Sequence, residues 1–134
     1  MHKTIIIVML FSMVPGMATS QNTSYVPDPK WAAPPKAAVR NNPLTPDPGT
    51  TAGGKKLFQR NCVECHGSDG SGLIEKHAAD LQLPVVQSQS DGVLFWKITN
   101  GNPDSGMPSF SRLPELQRWQ LVLYLRTLKE HIPD

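Results

Sequence analysis

Both cysteines of this 134-residue chain lie in the heptapeptide NCVECHG, Asn61 to Gly67, three positions apart and with a histidine directly after the second. Two thiols at that spacing suit a redox disulfide, half of a zinc site or a covalent tether for a cofactor, and each demands different surroundings. A redox pair normally sits where a strand runs into a helix N-terminus, whose dipole lowers the thiolate pKa. Here the pair ends a helical segment, and no strand pattern precedes it. Zinc needs two more ligands, and beyond the N-terminal segment the chain offers only His66, His77 and His131, with His66 awkwardly beside Cys65. The third reading uses all three residues: Cys62 and Cys65 form thioethers with the two vinyl groups of one haem, and His66 is held against the iron.

The N-terminus has the layout of a secretory signal. MHKTIIIVMLFSMVPGMATS carries Lys3, an apolar run from Ile5 to Val14, a break at Pro15 and Gly16, and small residues up to Ser20. The apolar run is about half of the roughly 20 residues needed to cross a bilayer, so cleavage after Ser20 and export are expected, leaving no membrane span. Free, unmodified thiols would be out of place in an oxidising compartment. Without Lys3 the balance is twelve basic against eleven acidic residues. No basic run points to nucleic acid or anionic lipid.

Residues 21–49 read as a proline-rich arm or linker. Tyr25 to Gly49 holds seven of the thirteen prolines and shows neither helical nor strand periodicity. Trp31 argues for docking of this arm, although free solvation is an equal alternative. From Thr50 onward the composition changes and three helices are expected. The first runs roughly from Ala52 to Cys62, capped by Thr50 or Thr51 and weakened by Gly53 and Gly54. A glycine kept in a helix often marks close approach by another element. The second, SDGVLFWKITNG, has Ser90 as cap and Gly101 as stop. In the third, LPELQRWQLVLYLRTLKEH, Pro114 suits the first helical position, Pro133 ends the segment, and apolar residues wrap far enough round the cylinder to require burial. Lys55, Lys56 and Arg60 read as a solvated helix face or a docking patch.

Three short helices and two long loops supply little core, and folds of this size usually need a staple. A large apolar cofactor would provide one. Its sixth ligand would be Met107, the only methionine beyond the N-terminal segment, in the loop GNPDSGMPSF outside any helix and so badly placed for core filling. His77, in the polar stretch IEKHAAD, is the competing ligand.

Gly54, Phe58, Cys62 to Gly67, GVLFWKITNG, SGMPSF and RWQLVLYLRTL together resemble a class I c-type cytochrome of the small bacterial mono-haem kind, over roughly Thr50 to Ile132. The resemblance implies an all-α cytochrome c fold in residues 50–134, three main helices and long loops wrapped around one covalently bound haem c. The N- and C-terminal helices would cross, with Gly54 and Phe58 meeting Leu121 and Tyr124. The family also holds the proximal imidazole through a proline carbonyl, for which Pro84 in LQLPVV is the candidate here. The arm is a departure from the family pattern.

A His66/Met107 ligand set leaves the iron no open position and raises its reduction potential. The expected work is therefore one-electron transfer in the periplasm, through an exposed haem edge and a small transient interface with redox partner proteins. No catalytic residue is expected. The alternatives are a haem c subunit of a periplasmic dehydrogenase or other redox complex, joined through residues 25–49, a small peroxidase, or a colourless thiol or metal-binding module. Trp96 and Arg112 are candidate partners for haem propionates, against core packing and solvation respectively.

Overall fold

The computed structural model of the protein describes Asn22 and residues 25–129. The expected signal segment and Pro133 lie outside them. Among the described residues the regular elements are all helical: α1 (Pro35–Ala38), α2 (Pro48–Asn61), α3 (Val63–His66), α4 (Pro84–Gln87), α5 (Asp91–Asn100) and α6 (Glu115–Leu128), with 3₁₀ turns at Ile74–Lys76 and Pro103–Ser105. The all-α architecture is the one expected from the sequence.

Local chemistry explains the boundaries. Helix α2 starts four residues before the expected Ala52, because Asp47 takes the cap position and its Oδ1 accepts from the backbone N–H of Thr50 at 2.9 Å, with Pro48 in the first turn. Ser90 caps α5 as expected, accepting from Val93 N–H at 3.2 Å, and Gly101 follows its last turn. Pro114 stands one position outside α6, as its cap residue, and Glu115 opens the helix.

Helices α2 and α6 form the main packing contact. A methyl group built on Gly54 would overlap the main-chain carbonyl of Gln120 and stand 3.0 Å from Tyr124 Cβ, so only glycine allows this approach. Phe58, fully buried, packs its ring 5.2 Å from that of Tyr124. Leu121 is buried on the same face, and Trp119 stacks on Phe95 of α5 with ring centroids 3.9 Å apart. Arg126 ties α6 to the α4–α5 junction, donating to Asp91 Oδ1, Gln87 O and Gln89 O at 2.9, 2.7 and 2.5 Å.

The proline-rich arm is docked, not free. Its α1 lies against α5, with the Ala37 carbonyl crossing Gly92 where a Cβ would collide with it. Ser90 Oγ donates to Ala38 O at 2.7 Å and Asn42 Nδ2 to Trp119 O at 3.1 Å. Arg40 pairs with Glu115 at 2.7 Å while its guanidinium lies 4.8 Å from the Phe95 ring centroid and 5.2 Å from that of Trp119. The prolines pre-set extended backbone, and side chains along it supply the anchors.

Candidate haem site

Cys62 ends α2 and α3 begins at the next residue, so Cys62, Cys65 and His66 fall within one turn. The backbone N–H groups of Cys65 and His66 both bond to Cys62 O, at 3.2 and 2.9 Å. Gly67, with φ of 77°, turns the chain out of α3. The following loop folds back under the histidine through Gly72 N–H to His66 O at 2.8 Å and Leu81 N–H to Gly70 O at 2.7 Å. Gln82 adds a side-chain bond to Asp69 O at 2.9 Å.

That loop delivers Ala79 to the imidazole. The Ala79 carbonyl accepts from His66 Nδ1 at 3.0 Å, which places the ring proton on Nδ1 and leaves Nε2 as the basic nitrogen. Burial lowers the His66 pKa and the Ala79 bond opposes it, with burial the larger effect, so the neutral ring is favoured. Pro84 does not fill the role expected of it. It is exposed, opens α4, and its carbonyl is taken by Ser88 N–H at 2.9 Å. A carbonyl five residues earlier in the chain does that work instead.

Met107 is presented by a tight loop after α5. Asn102 and Met107 exchange both backbone bonds, Asn102 N–H to Met107 O at 2.9 Å and Met107 N–H to Asn102 O at 3.0 Å, around the Pro103–Ser105 turn. Phe110 N–H to Ile98 O at 3.1 Å fastens the loop's far end to α5. Cys62, Cys65, His66 and Met107 all line one cavity of about 850 Å³, walled otherwise mostly by apolar residues such as Phe58, Leu94, Ile98 and Leu121. That volume lies in the upper part of the range of small-molecule sites, roughly 300–1,000 Å³.

The chemistry of the donor set fits a covalently held haem. Both cysteines lack a disulfide partner, and Nε2 is the imidazole nitrogen left to ligate. Burial and then the neighbouring Cys65 charge push the Cys62 thiol up to about 12, the opposite of the lowered pKa that a redox thiol requires. The other singled-out residues divide. His77 also lines the cavity but is exposed. Arg112 is exposed beside the rim, its guanidinium 3.5 Å from Asn61 Oδ1 and 5.3 Å from the Phe110 ring centroid. Trp96 faces a separate pocket formed with Arg40, Glu115 and Arg118, so it is not placed to meet a group in the main cavity. Sequence reasoning missed Ala79, whose contribution is a main-chain carbonyl, and the wall supplied by Asn22, Tyr25, Val26, Asp28 and Trp31.

Residues 49–125 match the family described as cytochrome c oxidase, cbb3-type, subunit III. The chain belongs to that family. Over 85 residues it is 31% identical to the cbb3-type cytochrome c oxidase subunit FixP of Rhizobium etli and 29% identical to subunit FixPc of Rhizobium leguminosarum bv. viciae. The matched stretch is 61% of this chain but only 29% of the length of each of those relatives. The cbb3-type subunit III match spans α2 to most of α6, and with them the Cys62-to-His66 motif and Met107. It leaves the arm outside. The protein is therefore a c-type cytochrome domain with an all-α fold, and haem c is the cofactor such a domain implies.

Proposed function

We propose that the protein carries one electron at a time on a single haem c, tethered by Cys62 and Cys65 and ligated by His66 and Met107. The observation that carries this reading is the convergence of those four side chains on one largely apolar cavity, with His66 oriented through Nδ1. The haem supplies the ferric/ferrous couple. The chain's own residues supply the rest: Ala79 O orients the imidazole, the Asn102–Met107 pairing holds the thioether in place, and the apolar wall keeps water away. Met/His ligation favours a high potential and closes the iron to exogenous ligands, so outer-sphere transfer with little reorganisation is the consistent role. The signal-like residues 1–20 support a periplasmic setting.

A second reading, that the protein works as a subunit of a larger redox complex, draws on its family and on the names of the two relatives, both cbb3-type oxidase subunits. Those names favour an oxidase over the dehydrogenase considered from the sequence. One set of spectra tests the haem assignment. The reduced protein should show a c-type spectrum that survives acidic organic extraction and is unchanged by carbon monoxide. Loss of the haem on extraction would refute the tethers, and a carbon monoxide shift would refute the closed site. Co-purification of a terminal oxidase from the native membrane fraction would support the subunit reading, and recovery of the protein alone would support the free carrier.

A further inference from the structure

The family match begins at residue 49, but the cavity wall begins earlier. Tyr25, Val26, Asp28 and Trp31 line the same cavity as His66 and Met107. The segment is pinned beside the loop that folds under His66 and beside the loop that carries Met107. At one end, Asn22 Nδ2 donates to Ala78 O at 2.6 Å and its backbone N–H to Ser71 O at 3.1 Å. Ala78 adjoins Ala79, which orients His66. At the other end, Trp31 Nε1 donates to Gly101 O at 2.8 Å. Gly101 adjoins Asn102, the residue paired with Met107.

We propose that Tyr25 to Trp31 forms a strap closing this cavity, and that Trp31 is a positioning residue for Met107, acting through the Gly101 carbonyl. The inference rests on the reading of Met107 as the distal ligand. Its physical basis lies at the end of α5. Carbonyls at a helix C-terminus have no intrahelical donor, and the Trp31 indole N–H, which can only donate, supplies one to Gly101. Lys97 Nζ, on the last turn of α5, stands 4.4 Å from the Trp31 ring centroid, a second contact from the same helix. The loop so held needs holding. Pro103, Asp104, Ser105 and Gly106 are all exposed, and loops with few buried contacts open locally at low cost. Each bond that survives only in the closed loop lowers the fraction of time the Met107 sulfur is displaced.

The test uses the haem-loaded full chain and the variants Trp31→Phe, Trp31→Ala and Met107→Ala. Carbon monoxide enters a ferrous haem only when the sixth position is free, so its binding rate reads the open fraction. The methionine-to-iron absorption band of the ferric form reads ligation independently. Trp31→Phe keeps a ring for Lys97 and loses the N–H. It should retain the band and bind carbon monoxide about fivefold faster, the factor that losing one net hydrogen bond implies. Trp31→Ala should exceed that factor, and Met107→Ala should lack the band and bind fastest. If Met107→Ala keeps the band or binds no faster than the natural protein, the distal ligand is wrong and the inference falls with it. If Met107→Ala opens the site while both Trp31 variants keep the natural rate, Met107 stands and the strap is refuted.

Discussion

Gly53 and Gly54 are neighbours on α2, and replacing each by alanine should affect stability differently, with a loss only at Gly54. Both changes gain helix propensity, up to about 1 kcal/mol each. A Cβ at Gly53 would meet Gln120 Nε2 at 2.6 Å, the tip of a flexible side chain that can swing aside. Gly53→Ala should therefore be neutral or stabilising by a fraction of that gain. A Cβ at Gly54 would instead overlap the Gln120 main-chain carbonyl and crowd Tyr124 Cβ at 3.0 Å. Nothing there can rotate away, so α6 itself must shift, and overpacking of that kind costs about 1–3 kcal/mol. Set against the propensity gain, the upper part of that range leaves Gly54→Ala a net loss of about 1–2 kcal/mol. For a domain of this size that corresponds to a fall in Tm of roughly 5–10 °C. The assay is thermal and guanidinium unfolding of the haem-loaded protein, with an unchanged denaturant slope confirming that only stability has moved. A Gly54→Ala protein as stable as Gly53→Ala would refute the reasoning, because the two differ only in what their methyl groups meet.

Met107→Ala should open the ferrous haem to carbon monoxide while His77→Ala leaves it closed; the reverse pattern would make His77 the distal ligand. Arg126→Gln should lose about 1–3 kcal/mol in guanidinium unfolding, because the carbonyls of Gln87 and Gln89 lose their shared donor in a half-buried site. Asp47 is held below the usual carboxylate range by the Thr50 side-chain hydroxyl and then by the Thr50 backbone N–H. Its lowered folded-state pKa means that its contribution is present above the unfolded value and lost as pH falls through the folded one, so unfolding measured down an acid series should be less pH-dependent in Asp47→Asn.

What could be read in advance was chemistry carried by side-chain identity. The Cys62 to His66 run, the placement of Met107 outside a helix and the helix-disfavouring Gly54 each had a local signature, and the structure places the first two on one cavity and the third at the α2–α6 contact. Ala79 had none, because its contribution is a carbonyl that every residue possesses and only the path of the chain brings under His66. Pro84 is the candidate that the family resemblance offers, but a proline at the start of α4 commits its carbonyl to the helix. The early start of α2 was hidden because Asp47–Pro48 belongs to a proline-rich run that reads as extended, although those two residues are also a cap and a first-turn proline. Docking of the arm was undecidable for a related reason. Trp31 and Asn42 reach main-chain carbonyls some seventy positions away, 70 and 77 residues on, where no periodicity connects donor and acceptor.

The clasp of Arg40 over Phe95 and Trp119 bears on how small this protein can be made. Trimming the chain to the family-matched span would remove Ala37, Arg40 and Asn42 together, leaving Arg118 as the one guanidinium, among the described residues, against the stacked aromatic pair and taking the Asn42 donor from the Trp119 carbonyl. Apolar surface that loses part of its cover in that way favours self-association. The shortest soluble form of this cytochrome domain should therefore begin before α1, and the boundary for a fusion or a minimal electron-relay module lies upstream of the one its homology suggests.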